Sequence, residues 1–266
     1  MTAFSFRRVG ALLLRHLYIM RGSWPRLLEM AYWPAVNMVV WGFTSQFFSS
    51  HSQWVAQAGG ILIGAVLLWD VMFRGNLGVA LSFMEEMWSR NLGHLSVSPL
   101  RPVELVAGLL AMSLIRTLIG VVPAMLLAVP LYHYSIFDLG LPLLAFWVNL
   151  MVTGWAIGLA VSAMVLRFGL GVESLAWVMV FAVAPLAGIY YPISVLPGWL
   201  QPLAWALPPA HVFEGMRTLM QGGGFDGIRF ACATGLNALY VAAAGGLFLH
   251  IHHVARRRGL LLNVGE

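Results

Sequence analysis

Apolar residues fill this chain in long runs, and its few polar positions gather between them. Six runs, at about 27–49, 58–81, 103–131, 141–166, 172–191 and 228–253, each reach the roughly 20 residues that a helix needs to cross the hydrocarbon of a bilayer. They predict an all-α integral membrane fold of six transmembrane helices, with residues 1–266 forming one transmembrane domain. Three other segments keep helical periodicity or carry dense polar chemistry: 4–24, 83–96 and 192–221.

In the first of these, Phe6, Val9, Leu13, Leu17 and Met20 fall on one stripe of a helical wheel, and Arg7, Arg8, Arg15 and Arg21 crowd the other side. This is the pattern of a helix lying in the membrane interface. Arg15 and His16 interrupt the apolar run, and no small-residue cleavage site follows, so the segment reads as retained rather than as a signal peptide.

Between the second and third runs, Met84, Met87, Trp88, Leu92 and Leu95 recur at helical spacing, and Glu86 and Arg90 are placed for an intrahelical pair. Ser98-Pro99 closes the segment. The spacing predicts a short amphipathic helix over 83–96 that offers both charge and an apolar ridge to a partner, or alternatively rests on lipid headgroups.

After the fifth run, prolines recur too often for an ordinary crossing. Pro197 is expected to start one short helix, Pro208-Pro209 to stop it, and His211 to Met220 to form a second. Non-helical backbone at membrane depth must be covered by protein or line a wet cavity, so this external re-entrant hairpin is expected at the mouth of the bundle. Trp199 and Trp205 suit either stacking on cargo or anchoring at the interface.

Composition sharpens this picture. The chain is 60% hydrophobic and 9% charged, which excludes an ordinary soluble globule. All fifteen basic residues are Arg, and without Lys neither a phosphate-binding loop of the G-x-x-x-x-G-K-[ST] kind nor a Schiff base is available. The single cysteine, Cys232, reads as a small core residue. With the N-terminus inside, twelve arginines, counting Arg74 toward the inner end of the second run, fall on the cytoplasmic side and only Arg217 and Arg229 outside, which predicts both termini in the cytoplasm.

The order of elements resembles the membrane subunit of ABC-2 type ATP-binding-cassette exporters, over nearly the whole chain. The resemblance is carried by the basic N-terminal helix, by Glu85-Glu86-Met-Trp-Ser-Arg90-Asn-Leu ending in Ser98-Pro99-Leu100, and by Leu196-Pro-Gly-Trp-Leu with Leu207-Pro-Pro-Ala-His211-Val-Phe-Glu-Gly-Met-Arg217. It implies a permease, not itself an enzyme, that exports an amphipathic or lipid-linked cargo such as a glycolipid, polysaccharide or drug across a bacterial inner membrane. The implied partners are two copies of a cytoplasmic ABC ATPase, a second permease copy in a homodimer, and membrane lipid, with no nucleic acid. ATP and Mg would bind the ATPase, and no cofactor is expected in this chain. Glu85, Glu86, Trp88, Arg90, Asn91 and Leu95 become the expected ATPase-coupling residues. Pro197, Trp199, Trp205, His211, Glu214 and Arg217 become an expected external gate. The cargo route is expected between two copies, along small residues of the first and fifth spans.

Two mid-run charges, Asp70 and Arg116, are expected to form an intramembrane pair, with Arg74 a competing partner one turn from Asp70. Asp70, Arg116 or Glu173 would serve ion coupling if the protein were instead a secondary transporter, although no inverted repeat is evident. His51, His133 and Asp138 lie on external loops, and His211 with Glu214 lacks a third ligand, so neither a metal site nor the polar triad of an intramembrane enzyme is expected.

Overall fold

Proline and glycine punctuate the chain into helices whose ends follow from their chemistry. The computed structural model describes residues 4–49 and 53–259, and every regular element among them is helical. In order these are α1 (Phe6–Arg21), α2 (Trp24–Ser49), α3 (Gln53–Trp88), α4 (Leu92–Val97), α5 (Pro102–Tyr132), α6 (Leu141–Phe168), α7 (Leu175–Val183), α8 (Gln201–Trp205), α9 (Pro208–Met220) and α10 (Gly227–Arg257). Pro102, Pro142 and Pro208 open α5, α6 and α9, where a missing N–H costs nothing and the fixed φ already suits a helix.

Four stretches, Gly60–Trp88, Pro102–Tyr132, Leu141–Phe168 and Gly227–Arg257, are long and apolar enough to cross a membrane. The run at 172–191 does not form one crossing helix. Its α-helical part, α7, has nine residues and rises about 14 Å. A 3-10 turn at Ala184–Leu186 follows, where Pro185 cannot donate, and Gly188 at φ +71° redirects the chain.

α3 is the central helix and packs on α2, α5 and α6. Gly154 and Gly158 of α6 make that contact close. A Cβ at Gly154 would stand 2.5 Å from the Met72 carbonyl oxygen, and one at Gly158 would stand 2.7 Å from that of Asn76. The close approach encoded by Gly154-x-x-x-Gly158 is thus used within the chain. At the other extreme, α10 is mostly uncovered, with 22% of its apolar window buried against 67% for α3, and Cys232 on it is exposed rather than in the core.

The buried stripe of α1 is Val9, Leu12, His16 and Met20, while Phe6 is 83% exposed. The face is therefore rotated from the one hydrophobicity alone selects. The cause is polar: His16, Arg8 and Arg15 all have partners on the bundle.

Candidate functional site

At the end of the bundle that carries α1 and α4, three carboxylates are tied to three arginines. Glu104, at the third position of α5 and fully buried, accepts from the backbone N–H groups of Arg101 (3.0 Å) and Ser5 (2.8 Å) and from Arg8 Nε (2.7 Å) and Nη2 (2.5 Å). Those hydrogen bonds push the Arg8 guanidinium above its ordinary pKa. Glu86, 1% exposed, accepts from Arg15 Nη1 and from Asn91 Nδ2 (2.6 Å), with His16 Nε2 3.3 Å from its other oxygen. Glu85 accepts from Arg116 Nη2 at 2.6 Å. Arg256 and His252 of α10 sit beside Leu92 and Arg101, so α1 and the last turns of α10 share this end.

The predicted helix over 83–96 is not one element. α3 runs on to Trp88, because Phe83, Met84 and Met87 continue its buried face and Phe83 packs edge-on against Phe248 of α10. It ends in a Schellman arrangement, in which Arg90 N–H bonds the Met87 carbonyl (2.8 Å) and Asn91 N–H that of Glu86 (2.9 Å). Arg90 occupies the left-handed position of that motif, at φ +53°, where glycine is usual. α4 then turns back, leaving Trp88, Arg90, His94, Val97 and Pro99 exposed and Leu95 half-buried. Of the six expected coupling residues, Arg90 is presented outward, Trp88 is exposed yet also lines a cavity between α2, α3, α5 and α7, and Glu85, Glu86 and Asn91 are engaged inward.

Asp70 and Arg116 do not pair. α3 and α5 meet with Ser113 Oγ donating to the Gly75 carbonyl (2.7 Å) and with Gly120 against the Arg74 stem. That register carries Asp70 past Arg116, whose side chain runs the other way to Glu85. Asp70 instead accepts from Asn37 Nδ2 of α2 at 3.3 Å. A cavity of about 620 Å³ opens between α2, α3, α5 and α7. It is lined by Glu29, Asn37, Arg74, Glu85 and Arg116, with tryptophan and phenylalanine walls.

The expected gate residues at the opposite end mostly hold the loop together. Glu214 accepts from the Ile193 backbone N–H (2.7 Å) and pairs with Arg217 Nη1 (3.0 Å). Arg217 Nη2 donates to the Gly188 carbonyl (2.8 Å), and His211 Nε2 donates to that of Trp205 (2.8 Å). Trp205 is half-buried under the Arg229 guanidinium. Pro197 and Trp199 are exposed, Trp199 at 78%. The prolines act differently from expectation: α8 begins after Leu200 rather than at Pro197, and Pro208-Pro209 start α9 instead of stopping α8.

Two polar groupings escape the sequence reading. Glu104 has a local signal, an acid two residues after Pro102 at a helix start. The second is Asn149, Thr153 and Asn237, where Asn237 Nδ2 donates to Asn149 Oδ1 (2.9 Å) and Thr153 Oγ1 to Asn237 Oδ1 (2.8 Å), joining α6 to α10. Lone asparagines inside apolar runs are the signal for it.

No curated protein matches the sequence. The family model of the ABC-2 type transporter matches residues 10–220, most of the chain, from within α1 to the end of α9. With its membrane-crossing helices, the chain belongs to the ABC-2 type transporter family and is the permease component of an ABC transporter, which pairs with an ABC ATPase subunit.

Proposed function

We propose that this permease is the membrane half of an exporter that moves an amphipathic or lipid-linked cargo, a glycolipid, polysaccharide or drug, outward across a bacterial inner membrane. Two copies of the chain and two ATPase subunits form the working unit, with ATP and Mg bound on the ATPases and the cargo moving between the two permease copies. α2 and the α7 region supply two crossings besides the four most apolar helices, and both termini face the cytoplasm. Placing α1 and the last turns of α10 at one end supports this, since six crossings return the chain to its starting side. The exposed faces of α2 and α7, with Trp33 54% and Phe181 56% exposed, support a route shared between copies.

The observation that carries the ATPase assignment is the turn between α3 and α4. A non-glycine residue, Arg90, is kept in a left-handed conformation with its side chain exposed, and Val97 of the helix that follows is 85% exposed. Strained backbone clusters at functional sites, and at this exposed turn it supports a docking role. The ATPase docks on this ridge, formed by Trp88, Arg90 and Val97. Glu85 and Glu86 act behind it, tying the ridge to α5 and α1. Affinity purification of the chain from its native membrane, followed by reconstitution into vesicles, tests this reading. An ATPase subunit should copurify, and ATP should drive cargo outward. A purified chain that moves cargo on an ion gradient with no ATPase present would overturn it.

A further inference from the structure

Arg74 lines a membrane-embedded cavity, and its charge is balanced only at a distance, by Asp70 and Glu29. Its Nε is buried without a partner, and its stem lies against Gly120 of α5. Arg116, 7% exposed, gives one nitrogen to Glu85 and leaves its buried Nε unused. A guanidinium inside a membrane span is costly and is retained where it meets a partner or a wet cavity. The carboxylates nearby give Arg74 charge but no hydrogen bond: Asp70, one turn away on α3, and Glu29 of α2 attract it electrostatically, and Glu85 is engaged by Arg116. What Arg74 lacks in the cavity is an acceptor within hydrogen-bond reach of its Nε. Its remaining walls are mostly apolar, aromatic at Trp33 of α2, Phe73 of α3, and Trp177 and Phe181 of α7, and aliphatic at Leu77 and Leu81. Its volume of about 620 Å³ suits a headgroup with the start of an acyl chain, not a lone ion.

We propose that this cavity binds the acidic headgroup of an amphipath, a phosphate or carboxylate, between Arg74 and Arg116, with the apolar chain laid on Trp33, Trp177 and Phe181. Arginine is suited to this because its planar fork matches the oxygens of either group. The proposal deepens the cargo reading and rests on it for the claim that the bound amphipath is cargo. Binding itself needs no ATPase, so each reading can fail without the other.

The full-length protein in phosphatidylcholine nanodiscs is titrated with dodecyl phosphate. Dodecyl maltoside serves as the uncharged control with the same tail, and inorganic phosphate as the control without a tail. Saturable binding of dodecyl phosphate, about tenfold or more tighter than either control, is expected. Arg74→Gln should weaken it by about tenfold or more with an unchanged unfolding temperature, and Arg74→Lys by less. Should Arg74→Gln fail to fold, the lysine variant, which keeps the charge and loses the fork, still has to bind more weakly. Displacement by phosphatidylglycerol added to the disc would make the occupant a bilayer lipid, and resistance to it a dedicated cargo; both support an acidic amphipath site. Equal binding of dodecyl maltoside or inorganic phosphate, or unaltered affinity in every folded Arg74 variant, overturns the proposal. So does an absence of saturable binding, in which case a changed oligomeric state of Arg74→Gln would identify a second copy as the occupant.

Discussion

The two ends of the bundle use the same residue types to different effect. At the α1–α4 end, charged contacts join elements far apart in the chain: Arg8 with Glu104 across 96 residues, Arg15 with Glu86 across 71, and Arg116 with Glu85 across 31. At the α8–α9 end, Arg217 reaches back 29 residues, Glu214 21 and His211 only 6, all within one excursion of the chain. The first set ties α1 to α3 and α5, and α3 to α5. The second fixes the shape of a loop.

The largest effect is expected from Glu86→Gln. It leaves the Arg15 and His16 contacts without their carboxylate in a buried setting, and breaking a buried pair from one side costs about 3 kcal/mol or more. Thermal unfolding should show that loss, and proteolysis should release α1. If Glu86→Gln matches the parent in both assays, the α1–α3 tie is not structural. Gly154→Ala lies between the ends and should destabilise through overpacking by about 1–3 kcal/mol, because its Cβ meets the Met72 carbonyl. Denaturant unfolding checks this. Arg217→Ala should cost about 1–3 kcal/mol at most, from the Gly188 carbonyl left without its donor. Hydrogen exchange should rise over residues 188–220 and stay unchanged in α1; a rise in α1 would dissolve the distinction between the ends.

The smallest effect concerns pH. Asp226 caps α10, accepting from the backbone N–H groups of Arg229 and Ile228 and from Arg229 Nε, and these contacts, the Arg229 N–H foremost, hold its carboxyl below the usual range. A depressed carboxylate stabilises the fold above its ordinary pKa and loses that contribution as pH falls through the lowered value. Amide exchange at the first turn of α10 should therefore quicken in acid, and Asp226→Ala should quicken it already at neutral pH.

Much of the fold was legible in the sequence, because a run of 25 or more apolar residues leaves few alternatives to a helix. The limits of α5, α6 and α10 follow the apolar runs to within a few residues, with proline opening the first two and Asp226 capping the third. The fifth run was not legible as broken, since hydropathy counts Pro185 and Gly188 as ordinary members of an apolar window. The face of α1 was misread because periodicity ranks apolar residues and takes no notice of carboxylates on other helices that draw Arg8, Arg15 and His16 inward. For the same reason Glu85 and Glu86 looked available for a partner. Their long-range arginines are set by helix register, and register between α3 and α5 depends on contacts such as Ser113 with Gly75 that no local pattern reveals. Trp88 and Arg90 are the two of the six expected coupling residues whose side chains are exposed.

The central claim is that the ATPase docks on the ridge between α3 and α4, and not on the carboxylates behind it. Copurification of the ATPase with a full-length Val97→Asp variant tests this most directly, because an 85% exposed side chain contributes little to folding. The unfolding temperature should be unchanged, and the amount of ATPase retained should fall by about tenfold or more, as expected for a charge placed in an apolar contact. Full retention of the ATPase by a folded Val97→Asp protein would contradict the claim and move the docking surface elsewhere.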